Sequence, residues 1–352
     1  CRTGSVSGVT CAPSGDLPIP GARISAVTRD CRGREQVVET FSDERGGFRL
    51  GGLAPGRTEV TITAGSFVGR FSAEVLPGAD VFLSNGISNK VCLRADAAGL
   101  AVLTGNFDSI EDRLDDLGFA YDLYCGDTVG HRAARQVLAD WEQLRRYQVV
   151  FVNCATGIDL RVENPEVEVI VENLERFVRE GGSLYVSDLA ADFVERVWPN
   201  AVDFDMGVSG GGRDPTCCVC TDCPEMCVVE NTGPTSHCPD GSTLPAECRQ
   251  SSGTSGRGSA EVVPSNIVSP FLQSYLDSRT IDVVFDLGGW VQMTDVGPNT
   301  EVLVEAIDDG RPLMVAFEPY EGGGTVAYTS FHTHRQTTEP MKRILRALVF
   351  RL

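Results

Sequence analysis

Two segment ends carry the residues that are suited to chemistry. Ser187 and Asp188 follow the apolar run Ser183-Leu-Tyr-Val186, and His332 and His334 follow Val326-Ala-Tyr-Thr-Ser330. One carboxylate with two imidazoles is the makeup of a general acid/base pair or of a divalent-metal set. Ser187 is a candidate nucleophile by type, yet it lacks the flanking glycines that a strained strand-to-helix elbow uses. Cys154, after Val149-Val-Phe-Val152, brings a thiol to the same edge. Histidines two apart on an extended segment share a face. Here a helix follows soon after His334, so spacing alone does not bring Asp188, His332 and His334 together. A structural role for these residues is the favoured reading, and no metal or cofactor is expected.

A second constellation lies at Cys217, Cys220, Cys223 and Cys227, spaced C-x2-C-x2-C-x3-C. That is the run used for iron–sulfur ligation. The residue after the last cysteine is Val228 rather than proline, no second cluster matches it, and Cys218, Cys238 and Cys248 crowd the segment. A disulfide knot is therefore preferred over zinc or iron–sulfur, and without Cys-x-x-Cys-His covalent haem is not indicated. Thirteen cysteines suit an oxidising compartment. The first residue, Cys1, resembles the lipid-bearing cysteine of a mature bacterial lipoprotein. Arg2 stands where inner-membrane retention often uses aspartate, which implies the outer membrane or cell surface. Setting Cys1 aside leaves twelve cysteines that can close six disulfides: Cys11, Cys31, Cys92, Cys125, Cys154, Cys217, Cys218, Cys220, Cys223, Cys227, Cys238 and Cys248. Cys11 and Cys31 flank the first strands and are expected to staple them.

Composition narrows the partners. The 352-residue chain, 42% hydrophobic, is long enough for two domains, and no run approaches a membrane span. Forty-nine acidic against 30 basic residues give a net charge of −19, which repels a phosphate backbone. Nucleic acid is therefore not an expected partner. The expected ones are the membrane, through a lipid on Cys1, and proteins of the cell surface.

The elements that position these residues follow from periodicity. Residues 1–95 alternate with period two between Gly, Pro and Asp turns, as in Ala22-Arg-Ile-Ser-Ala-Val27 and Thr58-Glu-Val-Thr-Ile-Thr63, which predicts an antiparallel β-sandwich. Leu17-Pro-Ile-Pro-Gly-Ala-Arg-Ile24 and Phe41-Ser-Asp-Glu-Arg-Gly-Gly-Phe-Arg-Leu-Gly-Gly-Leu-Ala-Pro-Gly56 resemble the carboxypeptidase regulatory-like family. The resemblance implies a transthyretin-like Ig sandwich acting as spacer or adhesion unit, with no catalytic residue. Residues 96–352 alternate strand and helix. Buried runs at 99–104, 119–124, 147–153 and 183–186, with helices between them, predict a doubly wound parallel sheet in flavodoxin-like order. Residues 205–258 interrupt it as a cysteine-rich insertion. A hairpin joins 313–317 to 325–330, and a closing helix begins at Thr338.

The strands at 99–104, 147–153 and 181–187, with the late Val326-Ala-Tyr-Thr-Ser-Phe-His332, resemble the class I glutamine amidotransferase-like fold, nearest its trehalose-utilisation-like branch. In true amidotransferases the elbow is Gly-x-Cys-x-Gly and a late Phe-His-Pro-Glu supplies base and orienting acid. This chain has Val186-Ser-Asp-Leu-Ala190 and Phe331-His-Thr-His334. His332 matches the family histidine, while the nucleophile, its glycines and the glutamate are missing, so the amidotransferase reaction is not expected. The expected function is a noncatalytic surface lipoprotein used for assembly, adhesion or binding. The alternatives are an exported hydrolase of a sugar, peptide or amide working through Asp188 and His332, and a subunit of a larger surface assembly.

Overall fold

A computed structural model describes residues 2–85, 89–126, 132–162, 164–207, 255–332 and 337–352. Residues 2–85 carry the strands β1 (Gly4–Cys11), β2 (Arg23–Arg29), β3 (Glu35–Phe41), β4 (Gly47–Leu53), β5 (Gly56–Ala64), β6 (Phe67–Val75) and β7 (Asp80–Phe82), followed by β8 (Val91–Cys92). They form two four-stranded sheets, one ordered β3-β2-β5-β6 and the other β4-β1-β7 with β8 beside β1. The sheets are not purely antiparallel as predicted, because β7 and β8 both run parallel to β1. Val6, Ile24, Leu50, Val60, Ile62 and Phe67 point inward from both sheets into one core.

The parallel pairing of β8 overturns the expected Cys11–Cys31 bridge. It sets Cys92 directly beside Cys11 with Cα atoms 4.3 Å apart, and these two form the disulfide. Cys31 lies on the exposed turn between β2 and β3 and, like Cys125, is disulfide-bonded.

The rest of the chain gives β9 (Leu100–Leu103), α1 (Glu111–Leu117), β10 (Asp122–Tyr124), α2 (Ala133–Ala139), α3 (Trp141–Leu144), β11 (Val149–Val152), α4 (Pro165–Arg179), β12 (Ser183–Ser187), α5 (Asp192–Val197) and β13 (Val202–Gly207). It continues with β14 (Ser255–Gly256), β15 (Glu261–Ile267), α6 (Pro270–Leu276), β16 (Thr280–Phe285), β17 (Gln292–Val296), β18 (Thr300–Ala306), β19 (Pro312–Phe317), β20 (Val326–Thr329) and α7 (Glu339–Val349). A nine-stranded sheet runs β10-β9-β11-β12-β20-β19-β18-β15-β16. Its first five strands are parallel, the flavodoxin-like order, and the last four extend it antiparallel. β9, β11, β12 and β20 are buried along their whole length, because core packs on both faces of a central parallel sheet. Alternate residues divide between the two layers: Phe151 and Tyr185 face one, Val152 and Val186 the other.

Local sequence sets the element ends. Asn164 caps α4 by accepting from the Glu166 and Val167 amides, each 3.0 Å away, with Pro165 in the first turn. A Cβ on Gly182 would meet the Phe177 ring at 2.4 Å, so only glycine lets β12 start this close to the helix before it. The helix predicted between the 99–104 and 119–124 runs begins only at Glu111, because the amides of Asn106 and Phe107 bond instead to the Ala155 and Cys154 carbonyls, at 3.3 and 3.4 Å. Where the sequence predicts helix between the 119–124 and 147–153 runs, two short helices form, divided at Asp140, whose carboxylate caps α3. β13 pairs with β17 and with β14, so the two ends of the predicted insertion meet as neighbouring strands. The insertion cysteines Cys217, Cys218, Cys220, Cys223, Cys227, Cys238 and Cys248 lie outside the described residues, as do Cys1 and His334.

Candidate functional site

Parallel register aligns Val152 with Val186 and Ser187 with Thr329, so β11, β12 and β20 end side by side. The residues just beyond these ends converge. Cys154 Sγ donates to Asp188 Oδ2 at 3.4 Å, and His332 Nε2 stands 3.5 Å from the same oxygen. The other oxygen, Oδ1, accepts the Val291 amide at 2.7 Å. Tyr328 Oη donates to the Asp188 carbonyl at 3.0 Å. Cys154 is fully buried, and Asp188 and His332 are each 4% exposed.

A second layer lies beside this trio. Ser187 Oγ donates to Asp108 Oδ2 at 2.5 Å, and Asn153 Nδ2 donates to Glu111 Oε2 at 2.8 Å and to the Asp108 carbonyl at 3.3 Å. Asp108 and Asn153 are buried. The backbone is strained where the trio is held. Asp188 has φ +43° and Ala155, next to Cys154, has φ +60°, both in the left-handed region that costs an L-residue about 1–2 kcal/mol. A left-handed φ at a non-glycine residue such as Asp188 persists only where the surrounding contacts hold it. It does not cap the following helix as its position suggests, since its side chain turns inward to Val291, Cys154 and His332. Gly105 closes the floor: a Cβ there would meet the Cys154 carbonyl oxygen at 2.1 Å.

Electrostatics follow from burial. Burial, reinforced by the Asp188 charge, pushes the Cys154 thiol well above its ordinary value. Burial pulls His332 down, but the hydrogen bond to Asp188 and the charges of Asp108, Asp188 and Asp286 outweigh it, so the imidazole titrates above its usual range. Glu111 is raised to about 7, mainly by burial. Nearby Asp192, buried in α5 with Oδ2 accepting the Leu160 amide at 2.6 Å, is also raised to about 7 by burial.

Of the residues singled out in the sequence, Asp188, His332 and Cys154 meet, and Ser187 pairs with Asp108 instead of a histidine base. Cys154 is not in a disulfide as expected. It is a buried free thiol, held against a carboxylate at a strand end. A protonated thiol and a carboxylate engaged at both oxygens are poor nucleophiles. Asp108, Glu111, Asn153 and Val291 escaped sequence reading. Asp108 and Glu111 follow β9, at the strand-order switch point between β9 and β11, and that topology is the signal that points to them.

No protein-family model matches the chain, and no curated protein is similar to it. Solved structures similar to it include a ThuA-like protein from Parabacteroides merdae, 17% identical, with TM-score 0.38, covering 71% of this chain and 86% of that one. Another is SMU.1228c, 9% identical, with TM-score 0.37, covering 72% of this chain and 96% of that one.

Proposed function

We propose that this protein is a noncatalytic binding or assembly module of the cell surface, in which an amidotransferase-like centre has become a structural knot. The observation that carries this reading is the state of Asp188. It stands where an elbow nucleophile would stand, yet it is 4% exposed, its Oδ1 takes the Val291 amide, and its Oδ2 faces Cys154 and His332. A carboxylate so engaged ties together three strand ends and the 290–292 segment, and it is buried and hydrogen-bonded at both oxygens rather than presented to a substrate. The test is turnover of a panel of nitrophenyl glycosides, esters and aminoacyl anilides by the native protein and by Asp188→Asn. Neither is expected to turn over any of them, while Asp188→Asn melts at a lower temperature. Hydrolysis by the native protein that disappears in the variant would overturn the reading.

A hydrolase working through Asp188 and His332 is the second reading. It is favoured by the left-handed φ of Asp188, since strained backbone concentrates at reactive positions. The same substrate panel decides between the two.

A further inference from the structure

We infer that Cys154 Sγ, Asp188 Oδ2 and His332 Nε2 form a binding site for one zinc-class divalent metal ion. The three donors are a thiolate, a carboxylate and an imidazole, the mixture that zinc and cobalt(II) select over magnesium or calcium. They come from three different strand ends and their ligand atoms lie within 4.8 Å of one another. Around a tetrahedral zinc, with metal–ligand bonds of about 2.0–2.3 Å, neighbouring donor atoms stand roughly 3.3–3.7 Å apart. The sulfur–oxygen and nitrogen–oxygen separations here, 3.4 and 3.5 Å, fall in that range.

Two further observations point the same way. Asn153 Oδ1, on the residue next to Cys154, is buried and has no hydrogen-bond partner among the described residues. Orphaned buried polar atoms are rare and mark places where an ion or ordered water belongs. The Val291 amide also fixes the Asp188 carboxylate by its other oxygen, the supporting contact that orients a metal-ligating carboxylate. Binding is charge-balanced: the metal takes the Cys154 sulfur as thiolate and releases one proton to solvent, with no change of oxidation state. Metal affinity at these three donors does not depend on whether the centre catalyses anything.

The test uses the full chain with its disulfides intact, dialysed against zinc and then against cobalt(II), because the cysteines of 217–248 also offer sulfur donors. Metal per chain is measured for the native protein and for Cys154→Ser, Asp188→Asn and His332→Ala. The native protein is expected to hold one equivalent that each variant binds at least about ten-fold more weakly. Its cobalt form is expected to show a thiolate-to-cobalt charge-transfer band that Cys154→Ser lacks. Metal-edge X-ray absorption on native protein keeps the question open to decision if a variant fails to fold, with one sulfur among nitrogen and oxygen ligands expected. An all-sulfur shell, equal metal retention by native protein and a folded Cys154→Ser, or no retained metal would each overturn the site.

Discussion

Asp192 shows what burial does to a single carboxyl. It is 1% exposed, and only one of its oxygens has a partner, the Leu160 amide. Its pKa is raised in the fold to about 7 from the ordinary 3.8, so between those values the native state holds a proton that the unfolded chain has lost. Stability contributed by the neutral group is therefore present at low pH and lost as pH rises toward 7. Glu111 slopes the same way. From pH 5 to pH 8 the native protein is expected to lose about 2–3 kcal/mol more than Asp192→Asn does, read from urea unfolding at the two pH values. An equal loss in both proteins would rule out Asp192 as the source. Residue types made Asp188 and His332 visible in the sequence, since an acid and a histidine after buried runs announce themselves. Asp192, Asp108 and Asn153 were not visible, because their importance comes from burial that no local pattern encodes.

Elements were legible wherever one period dominated. The buried runs that became β9, β11, β12 and β20 contain only apolar or small residues, so one period reads along each of them. Legibility failed where tertiary hydrogen bonds overrode propensity. Asn106 and Phe107 look like the first turn of a helix, yet their amides bond to the Cys154 and Ala155 carbonyls, which holds the β9–α1 segment against the site. β13 and β17 were missed because Val202-Asp-Phe-Asp-Met-Gly207 and Gln292-Met-Thr-Asp-Val296 read as loop until they pair with each other. Gly105 lies where the β9–α1 segment passes against the Cys154 carbonyl. Gly105→Ala would drive a methyl into the Cys154 carbonyl and is expected to cost about 1–3 kcal/mol in chemical unfolding, with loss of whatever metal the trio holds. Gly51→Ala, where the added Cβ meets nothing within 4 Å, is expected to stay within about 0.5 kcal/mol of the native protein. Equal effects would show that Gly105 contributes only chain flexibility.

At the scale of the molecule, the strand-only first part does not stand apart as a detached spacer. Phe67 of β6 packs on Phe119 and Phe350 with ring centroids 4.4 and 5.9 Å apart, the Val68 amide bonds to the Ala97 carbonyl, and one hydrophobic core runs through both parts. The cysteine count then sharpens the question of the anchor. Twelve paired cysteines made Cys1 the odd one, free to carry lipid, but Cys154 is itself a thiol. Thirteen cysteines less Cys154 leave twelve, and these close evenly only if Cys1 is among them. A lipid on Cys1 leaves eleven of these, an odd number, so the expected anchor carries a further requirement: a second free thiol, or a disulfide to another chain or to a cysteine outside these 352 residues. Intact mass before and after reduction, with thiol labelling in denaturant without reductant, measures this directly. The anchored form is expected to show acyl mass on Cys1, label on Cys154, and either one more labelled cysteine or a dimer that reduction splits. A chain whose only label is on Cys154 and whose Cys1 sits in an internal disulfide would remove the lipid, and with it the membrane as the partner of this surface.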